Sequence, residues 1–307
     1  MTKPRICVVG ASNIDLISYV PRLPKKGETL HGSRFQMGFG GKGANQAVMA
    51  AKIGSDVVMV TKLGRDMFGE NTLKNFEDHG IETKHVLFTD RAFSGVAPIA
   101  VDPEGSNSII IVTGANDLLN EDEIEAGRGT IASCRFFVCQ LEIPLGTTLA
   151  AMRIARQEGV KTILNPAPAQ EELPAEAYEL SDIFCPNETE TELLTGHPVQ
   201  TQDEAESAAR ILIQRGARTV ILTLGEKGSL LVTSDATIHV PAEPVTPLDT
   251  TGAGDAYVGS LAHFLAAGKS LATAMMRASR IAALSVQAPG TQTSFPEASS
   301  LPQELLE

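Results

Sequence analysis

The sequence contains no tryptophan, only three tyrosines, and four cysteines in 307 residues. Cys7, Cys134, Cys139 and Cys185 form no C-x-x-C pair and have no histidine at zinc spacing, which argues against structural zinc and thioredoxin-type chemistry. They read as isolated thiols of a reducing compartment. No apolar run approaches the roughly 18 residues of a membrane span. The N-terminus, MTKPRICVVG, enters a strand-like segment without a signal-peptide core, so the expectation is a cytoplasmic protein with no membrane partner. Positive charge is also scarce. Lys and Arg number 25 against 37 Asp and Glu, a net charge of −12. That disfavours nucleic acid and anionic membranes as partners, because both are held by positive surface. An anionic small molecule remains open, provided a metal, a lysine or a helix N-terminus assists locally.

What is present is an ordinary globular balance, 43% apolar and 20% charged. Short β-branched apolar runs at Arg5–Gly10, Asp56–Thr61, Arg135–Leu141, Thr162–Asn165 and Thr219–Leu224 suit the strands of a buried parallel sheet. Helical patterns lie between them, at Gly43–Ile53, Phe68–His79, Glu121–Ala132, Thr147–Gln157, Glu188–Thr195 and Asp203–Arg215. Two more follow one another near the C-terminus, Ala253–Ala267 and Leu271–Val286, with Gly268 as the stop between them. Strand then helix, repeated, predicts an α/β sandwich with right-handed crossovers. Two regions break the alternation. Ile14–Tyr19 with Thr29–Met37, and Ser94–Val101 with Ser106–Val112, read as strands joined by turns, and Asp102–Gly105 closes the second pair as a hairpin. They predict a small sheet standing off the body beside a ligand cleft, with edge strands of the main sheet as the alternative.

The sharpest motif is Pro247-Leu-Asp-Thr-Thr-Gly-Ala-Gly-Asp255, followed by an apolar helix. Gly252, Ala253 and Gly254 let backbone N–H groups approach a ligand at a helix start, an anion hole for a phosphoryl group. Asp255 would repel a phosphate there, but makes sense as a general base for an attacking hydroxyl. The bland alternative is a glycine turn with an acidic first helical turn. Gly38-Phe-Gly-Gly-Lys-Gly-Ala-Asn-Gln46 holds a formal G-x-G-x-x-G. It does not open a βαβ unit, and Lys42 is followed by Gly43 rather than Ser or Thr, so neither a dinucleotide fingerprint nor a Walker loop results. A backbone-rich loop with Lys42 and Asn45 as donors suits a polyhydroxylated ligand. Asn13 and Asp15 share one strand face and could cap a turn or bind vicinal hydroxyls. Glu142 follows a buried strand, where open α/β sheets place ligands, though it could equally open a helix before Ile143 and Pro144. Asn187 and Glu190 fit a capping box, or a phosphate contact with Mg²⁺ nearby. Thr223 and the glycines of TLGEKG could line a nucleotide or form a hairpin.

In order along the chain, ICVVGASNIDL, FGGKGANQA, NPAPA, PNETE, TLGEKG, DTTGAGD and APGTQTS together resemble the ribokinase-like sugar kinases. The resemblance implies one domain over residues 1–307, a ribokinase-like three-layer α/β/α sandwich whose small β-sheet lid is formed by about residues 13–38 and 94–112. It implies transfer of the ATP γ-phosphate to a sugar's primary hydroxyl. Asn13, Asp15, Gly41, Lys42, Asn45 and Glu142 would hold the sugar, and Asp255 would be the base beside the Gly252–Gly254 anion hole. Asn187, Thr223, Gly225, Gly228, Gly254 and Ser279 would contact ATP, and Glu190 would organise Mg²⁺ from its outer shell. A K⁺ site would use Asp249, Thr251, Ser285, Ala288, Gly290 and Ser294; the position of Ala288 is often Arg in the family, but main-chain carbonyls can ligate whatever the side chain. A homodimer through the lid is implied as well. SGVAPIAV and SNSIIIVTGAN look like the deoxyribose-specific branch, whereas Asn13 stands where that branch tends to carry Met. A buried Asn and Asp facing a missing hydroxyl would be left unpaired at a cost of about 1–3 kcal/mol. The expectation is therefore ATP-dependent phosphorylation of D-ribose at O5. The alternatives are 2-deoxy-D-ribose as substrate, or a non-catalytic sugar-binding protein on the same fold.

Overall fold

The computed structural model describes residues 3–306. Among these residues the strands are β1 Arg5–Val9, β2 Asn13–Tyr19, β3 Arg34–Gly40, β4 Asp56–Gly64, β5 Glu82–Thr89, β6 Gly95–Val101, β7 Asn107–Ile109, β8 Phe136–Cys139, β9 Lys161–Leu164, β10 Ile183–Phe184, β11 Val220–Thr223, β12 Ser229–Val232 and β13 Thr237–Val240. They form two sheets. The larger has the order β13-β12-β11-β10-β9-β8-β1-β4-β5. Its strands from β11 through β5 pair in parallel, and β12 and β13 return antiparallel at one edge.

The period-two alternation of the strands divides the core. Ile6 and Val8 face one side, where they join the helices Lys42–Lys52, Ala253–Ala266 and Leu271–Ser285. Cys7 and Val9 face the other, where they join Leu145–Gln157 and Gln202–Gln214. This is the expected three-layer α/β/α sandwich. All four cysteines are free and buried in it. Helices Lys42–Lys52 and Ala253–Ala266 approach closely, because a Cβ on Gly259 would lie 2.5 Å from the Gln46 carbonyl oxygen. That contact sets Asn45 and Gln46 beside the first turn of the second helix. No helix of the described residues is long and apolar enough to cross a membrane.

The smaller sheet has the order β3-β2-β6-β7 and stands apart from the larger one, as anticipated. Several boundaries differ from expectation, each for a local reason. The strand expected from Thr29 begins at Arg34, after an exposed, glycine- and proline-punctuated segment. The strand expected over Ser106–Val112 is regular only at Asn107–Ile109, because Pro98 opposite Ile110 has no N–H to donate; pairing resumes between Val96 and Val112. The helix expected over Glu121–Ala132 breaks at Gly127 into Glu121–Ala126 and Arg128–Ala132. Strands β5 and β13 were not anticipated. Both are edge strands, and their polar residues, such as Lys84 and His239, hide the pattern of a buried strand.

Candidate active site

Parallel strands present their C-terminal ends together, and polar residues follow four adjacent ones: Gln140 after β8, Asn165 after β9, Asn187 beyond β10, and Thr223 closing β11. Open α/β sheets bind ligands at this end. A cavity of about 170 Å³ opens there, lined among others by Lys42, Asn187, Glu190, Thr223, Gly252, Ala253, Gly254 and Asp255. Eight residues from separate predicted motifs thus converge on one space. Sequence reading missed Asn165, Ala167, Cys185, Thr250 and Val258, which also line it. A larger cavity, about 470 Å³, lies at the opposite, N-terminal ends of β1, β4 and β8. Its Arg5 is already paired with Asp56 and Glu82, and strand N-termini are not where this architecture does chemistry.

Helix Ala253–Ala266 starts at Gly252, whose φ of 78° suits glycine, and no side chain caps it. Ala253 N donates to the Thr250 carbonyl oxygen at 3.2 Å, which leaves the N–H groups of Gly254 and Asp255 in that turn without a backbone or side-chain acceptor among the described residues and open to an anion. Asp255, in that first turn, is buried, and both its oxygens are held. Asn45 Nδ2 donates to Oδ2 at 2.9 Å, and Gln46 Nε2 donates to Oδ1 at 2.9 Å. Each amide is held in turn. Gln140 Nε2 donates to Gln46 Oε1 at 2.6 Å, and Gln46 Nε2 also donates to Asn165 Oδ1 at 3.1 Å. Gln292 Nε2 donates to Asn45 Oδ1 at 3.0 Å, and Asn75 Nδ2 donates to Gln292 Oε1 at 2.9 Å. Gln46, Gln140 and Gln292 were not singled out from sequence. FGGKGANQA and APGTQTS contain two of them, but a glutamine in a loop or helix carries no pattern of its own.

The loop before helix Lys42–Lys52 turns at Gly41, whose φ is 86°. The Lys42 N–H donates to Glu142 Oε2 at 2.8 Å, joining this loop to the end of β8. Burial pushes Glu142 above the usual carboxylate range, more strongly than Lys42 pulls it down. Lys42 is half-buried, and the desolvation opposes its charge, yet Asp255, Glu142 and Glu190 together raise its pKa. Asn13 and Asp15 point to one face of β2, opposite Gly40 and Gly38 of β3. A Cβ on Gly40 would fall 2.5 Å from Asp15 Oδ1, so the glycine leaves room for that carboxylate. Burial, then the charges of Glu142 and Asp255, push Asp15 up to about 7. Those couplings join Asp15, Glu142 and Asp255 in one electrostatic cluster.

On the other side of the cleft, Asn187 and Glu190 form the anticipated capping box. Glu190 Oε2 accepts from Asn187 N at 2.9 Å, its Oε1 from Asn187 Nδ2 at 3.0 Å, and Asn187 Oδ1 from Glu190 N at 2.8 Å. Glu190 is raised by burial, with Asp255 adding to it and Asn187 and Lys42 opposing. Thr223 bridges to Asn187, and Gly225 is exposed beyond it. Gly228 has a structural reason of its own, since a Cβ there would lie 2.1 Å from the Val240 carbonyl oxygen. Ser279 is buried within helix Leu271–Ser285 and does not line the cavity. Asp249 draws two segments together, accepting from Thr251 N at 2.9 Å and Gly290 N at 2.8 Å. Ser285 and Ser294 spend their hydroxyls on the carbonyls of Ala282 and Thr291, and Ala288 N approaches Ser285 O.

A buried carboxylate beside an uncapped helix N-terminus, a half-buried lysine and a polar strand face are groups that could serve transfer of a phosphoryl group to a hydroxyl. Known proteins agree. Residues 3–298 match the model of the pfkB family carbohydrate kinases. The chain is 46% identical over 291 residues to a deoxyribokinase of Salmonella typhi, covering 95% of each protein. It is 45% identical over 304 residues to a ribokinase of Mus musculus, covering 98% of this chain and 94% of that one. A solved structure of Arabidopsis thaliana ribokinase complexed with ribose and ATP superposes with a TM-score of 0.90 at 32% identity, covering 100% of this chain and 99% of that one. On sequence and fold alike, this chain belongs to the pfkB family of carbohydrate kinases.

Proposed function

We propose that the chain transfers the γ-phosphoryl group of ATP to O5 of D-ribose. The observation that carries this reading is Asp255, a buried carboxylate oriented through both oxygens in the first turn of an uncapped helix. Asp255 takes the proton of the O5 hydroxyl as that oxygen attacks in line. The new P–O bond forms as the bond to the β-phosphate breaks, and ADP leaves. The Gly252–Gly254 amides and Lys42 meet the charge on the transferring group. Asn13, Asp15, Gly41, Lys42, Asn45 and Glu142 hold the sugar. Asn187, Thr223 and Gly254, which line the cavity, serve the nucleotide, with Gly225 and Gly228 shaping the turn beyond Thr223; Ser279, buried outside the cavity, contributes no contact. The small sheet closes over the sugar and keeps water from the phosphoryl group.

Mg²⁺ fits as a partner of Glu190 through water, because both carboxylate oxygens already accept from Asn187 while the buried charge remains. When bound, it would neutralise phosphate charge. K⁺ fits the oxygen-rich segment of Asp249, Thr251, Ser285, Ala288, Gly290 and Ser294, which Asp249 draws together. There it would steady the turn that leads into Gly252–Gly254. Exposed apolar residues on the small sheet and the segment after it, including Phe35 at 61% and Ile110 at 62% exposure, support a homodimer through the lid. Four free cysteines and a need for ATP suit the cytoplasm.

The test is ADP release with MgATP and K⁺ on D-ribose and 2-deoxy-D-ribose side by side. A kcat/KM preference for ribose is expected. The 46% identity to a deoxyribokinase supports the second reading, 2-deoxy-D-ribose, and equal or reversed preference would adopt it. No ADP with either sugar would overturn the kinase assignment.

A further inference from the structure

Asn116 ends the stretch SNSIIIVTGAN but was given no role of its own, yet it is 1% exposed and its side chain meets Asn13 on the sugar face. It accepts from Ser12 N at 2.9 Å. A backbone N–H only donates, so the Asn116 atom facing it is Oδ1. Its amide nitrogen then faces three oxygens, Ser12 O at 3.1 Å, Thr113 O at 2.9 Å and Asn13 Oδ1 at 2.9 Å. The two carbonyls only accept, so this assignment is forced by chemistry. The Asn13 atom turned toward Asn116 must therefore be its oxygen. Gly95 makes the contact possible, since a Cβ there would fall 2.1 Å from Asn13 Oδ1. Among the described residues no hydrogen bond uses Asn13 Nδ2, and Asp15 two positions on has no donor either.

We propose that Asn116 is a positioning residue that fixes the open atom of Asn13 as a donor, and thereby sets the preference for a sugar carrying a hydroxyl at that place. One hydroxyl can accept from Asn13 Nδ2 and donate its single hydrogen to Asp15. Were Asn13 inverted, two acceptors would compete for one hydrogen, and the hydroxyl would lose its advantage. A 2-deoxy sugar leaves Asn13 and Asp15 unpaired. The inference rests on the sugar-kinase reading for its choice of ligand, but it predicts binding and does not need turnover.

The experiment measures the affinity of D-ribose and 2-deoxy-D-ribose by calorimetry without ATP, for the full chain and two variants, with melting curves as the folding check. The native protein is expected to favour ribose. Asn116→Asp removes the donor to Asn13 and is expected to cut the ribose-to-deoxyribose affinity ratio at least about tenfold. Asn13→Asp leaves Asn116 and its loop untouched but puts an acceptor in the site, so it keeps the proposal testable if Asn116→Asp does not fold; the same loss of ratio is expected. Variants that weaken both sugars equally would mean that Asn116 only supports the loop, and would overturn the proposal. A native protein that binds both sugars alike, or neither, would overturn it too. Absence of ADP release beside an intact ribose preference would sink the kinase reading alone.

Discussion

Two acidic side chains in one cleft are treated in opposite ways. Asp255, in the body, receives an amide N–H on each oxygen, and those amides are themselves anchored by Gln140, Asn165 and Gln292. Asp15, on the small sheet, has no donor among the described residues and sits pushed up to about 7 by burial and by Glu142 and Asp255. On the proposed reading the difference separates two tasks. A base must already be aimed when the reacting atoms arrive, so its partners belong to the protein. A carboxylate that recognises hydroxyls must keep its acceptor positions open, so its partners arrive with the ligand. An unpaired, half-buried carboxylate carries a desolvation cost in the free protein, and the ligand that satisfies it recovers that cost as affinity.

Removing the wired carboxylate should produce the largest effect. Asp255→Asn is expected to lower turnover at least about 10²-fold, the lower range for loss of a general base. Its affinity for ribose should fall far less than its turnover, because the amide keeps the carboxylate's shape and loses only one of the two accepted hydrogen bonds, where its Nδ2 meets Asn45 or Gln46. Steady-state ADP release and calorimetry on the same preparation check both. Near-normal turnover would mean that Asp255 is not the base, and the contrast with Asp15 would dissolve.

Removing the open carboxylate should act on binding. Asp15→Ala is expected to reduce kcat/KM for ribose about 10- to 100-fold, the equivalent of about 1.5–3 kcal/mol for charged hydrogen bonds. The loss should be carried by KM, with kcat changed far less. If kcat falls as far as it does in Asp255→Asn, Asp15 takes part in the chemistry and the division of tasks fails.

The relay behind Asp255 should give a smaller effect with the opposite signature. Gln292→Leu removes the donor that orients Asn45, 247 positions away in sequence. Losing that bond is worth about 1 kcal/mol, so kcat is expected to fall about 5- to 10-fold with the KM for ribose little altered. Unchanged kcat would show that Asn45 holds its orientation without Gln292.

The same contrast explains what could be read from sequence. The parallel strands announce themselves as apolar runs, and Asp255, Lys42 and the Asn187–Glu190 box sit at helix starts, where a few consecutive residues define the geometry. Local grammar is enough for these. The amides around Asp255 have no such grammar. Gln140 meets Gln46 across 94 positions, and Asn116 meets Asn13 across 103. A glutamine or asparagine reads as solvent-facing until folding buries it against a specific partner. Asn45 illustrates the halfway case, expected as a sugar ligand and found donating to Asp255. The edge strands β5 and β13 were hidden for a related reason, since a strand with a solvent-facing edge tolerates the polar residues that mask its pattern.

The smallest expected effect is a pH dependence that belongs to Asp15. The ionised Asp15 accepts from hydroxyls, and the protonated form loses part of that capacity. Because burial raises Asp15 to about 7, the competent form is depleted as pH falls through that value. At saturating ATP, kcat/KM for ribose reports the free enzyme and should decline below about pH 7, approaching tenfold per unit if only the ionised form binds. The sign for folding is opposite. A carboxyl raised above its unfolded value contributes stability that is present in acid and lost as pH rises through about 7, so this contribution to the sugar-free protein should be lost over the range in which ribose affinity improves. Glu142, Glu190 and Lys42 share the cluster and are raised as well, so a pH profile alone would not identify its owner. Asp15→Asn separates them. With no proton to exchange at position 15, the decline in kcat/KM near 7 should flatten, and its persistence would assign the titration to Glu142 or Glu190.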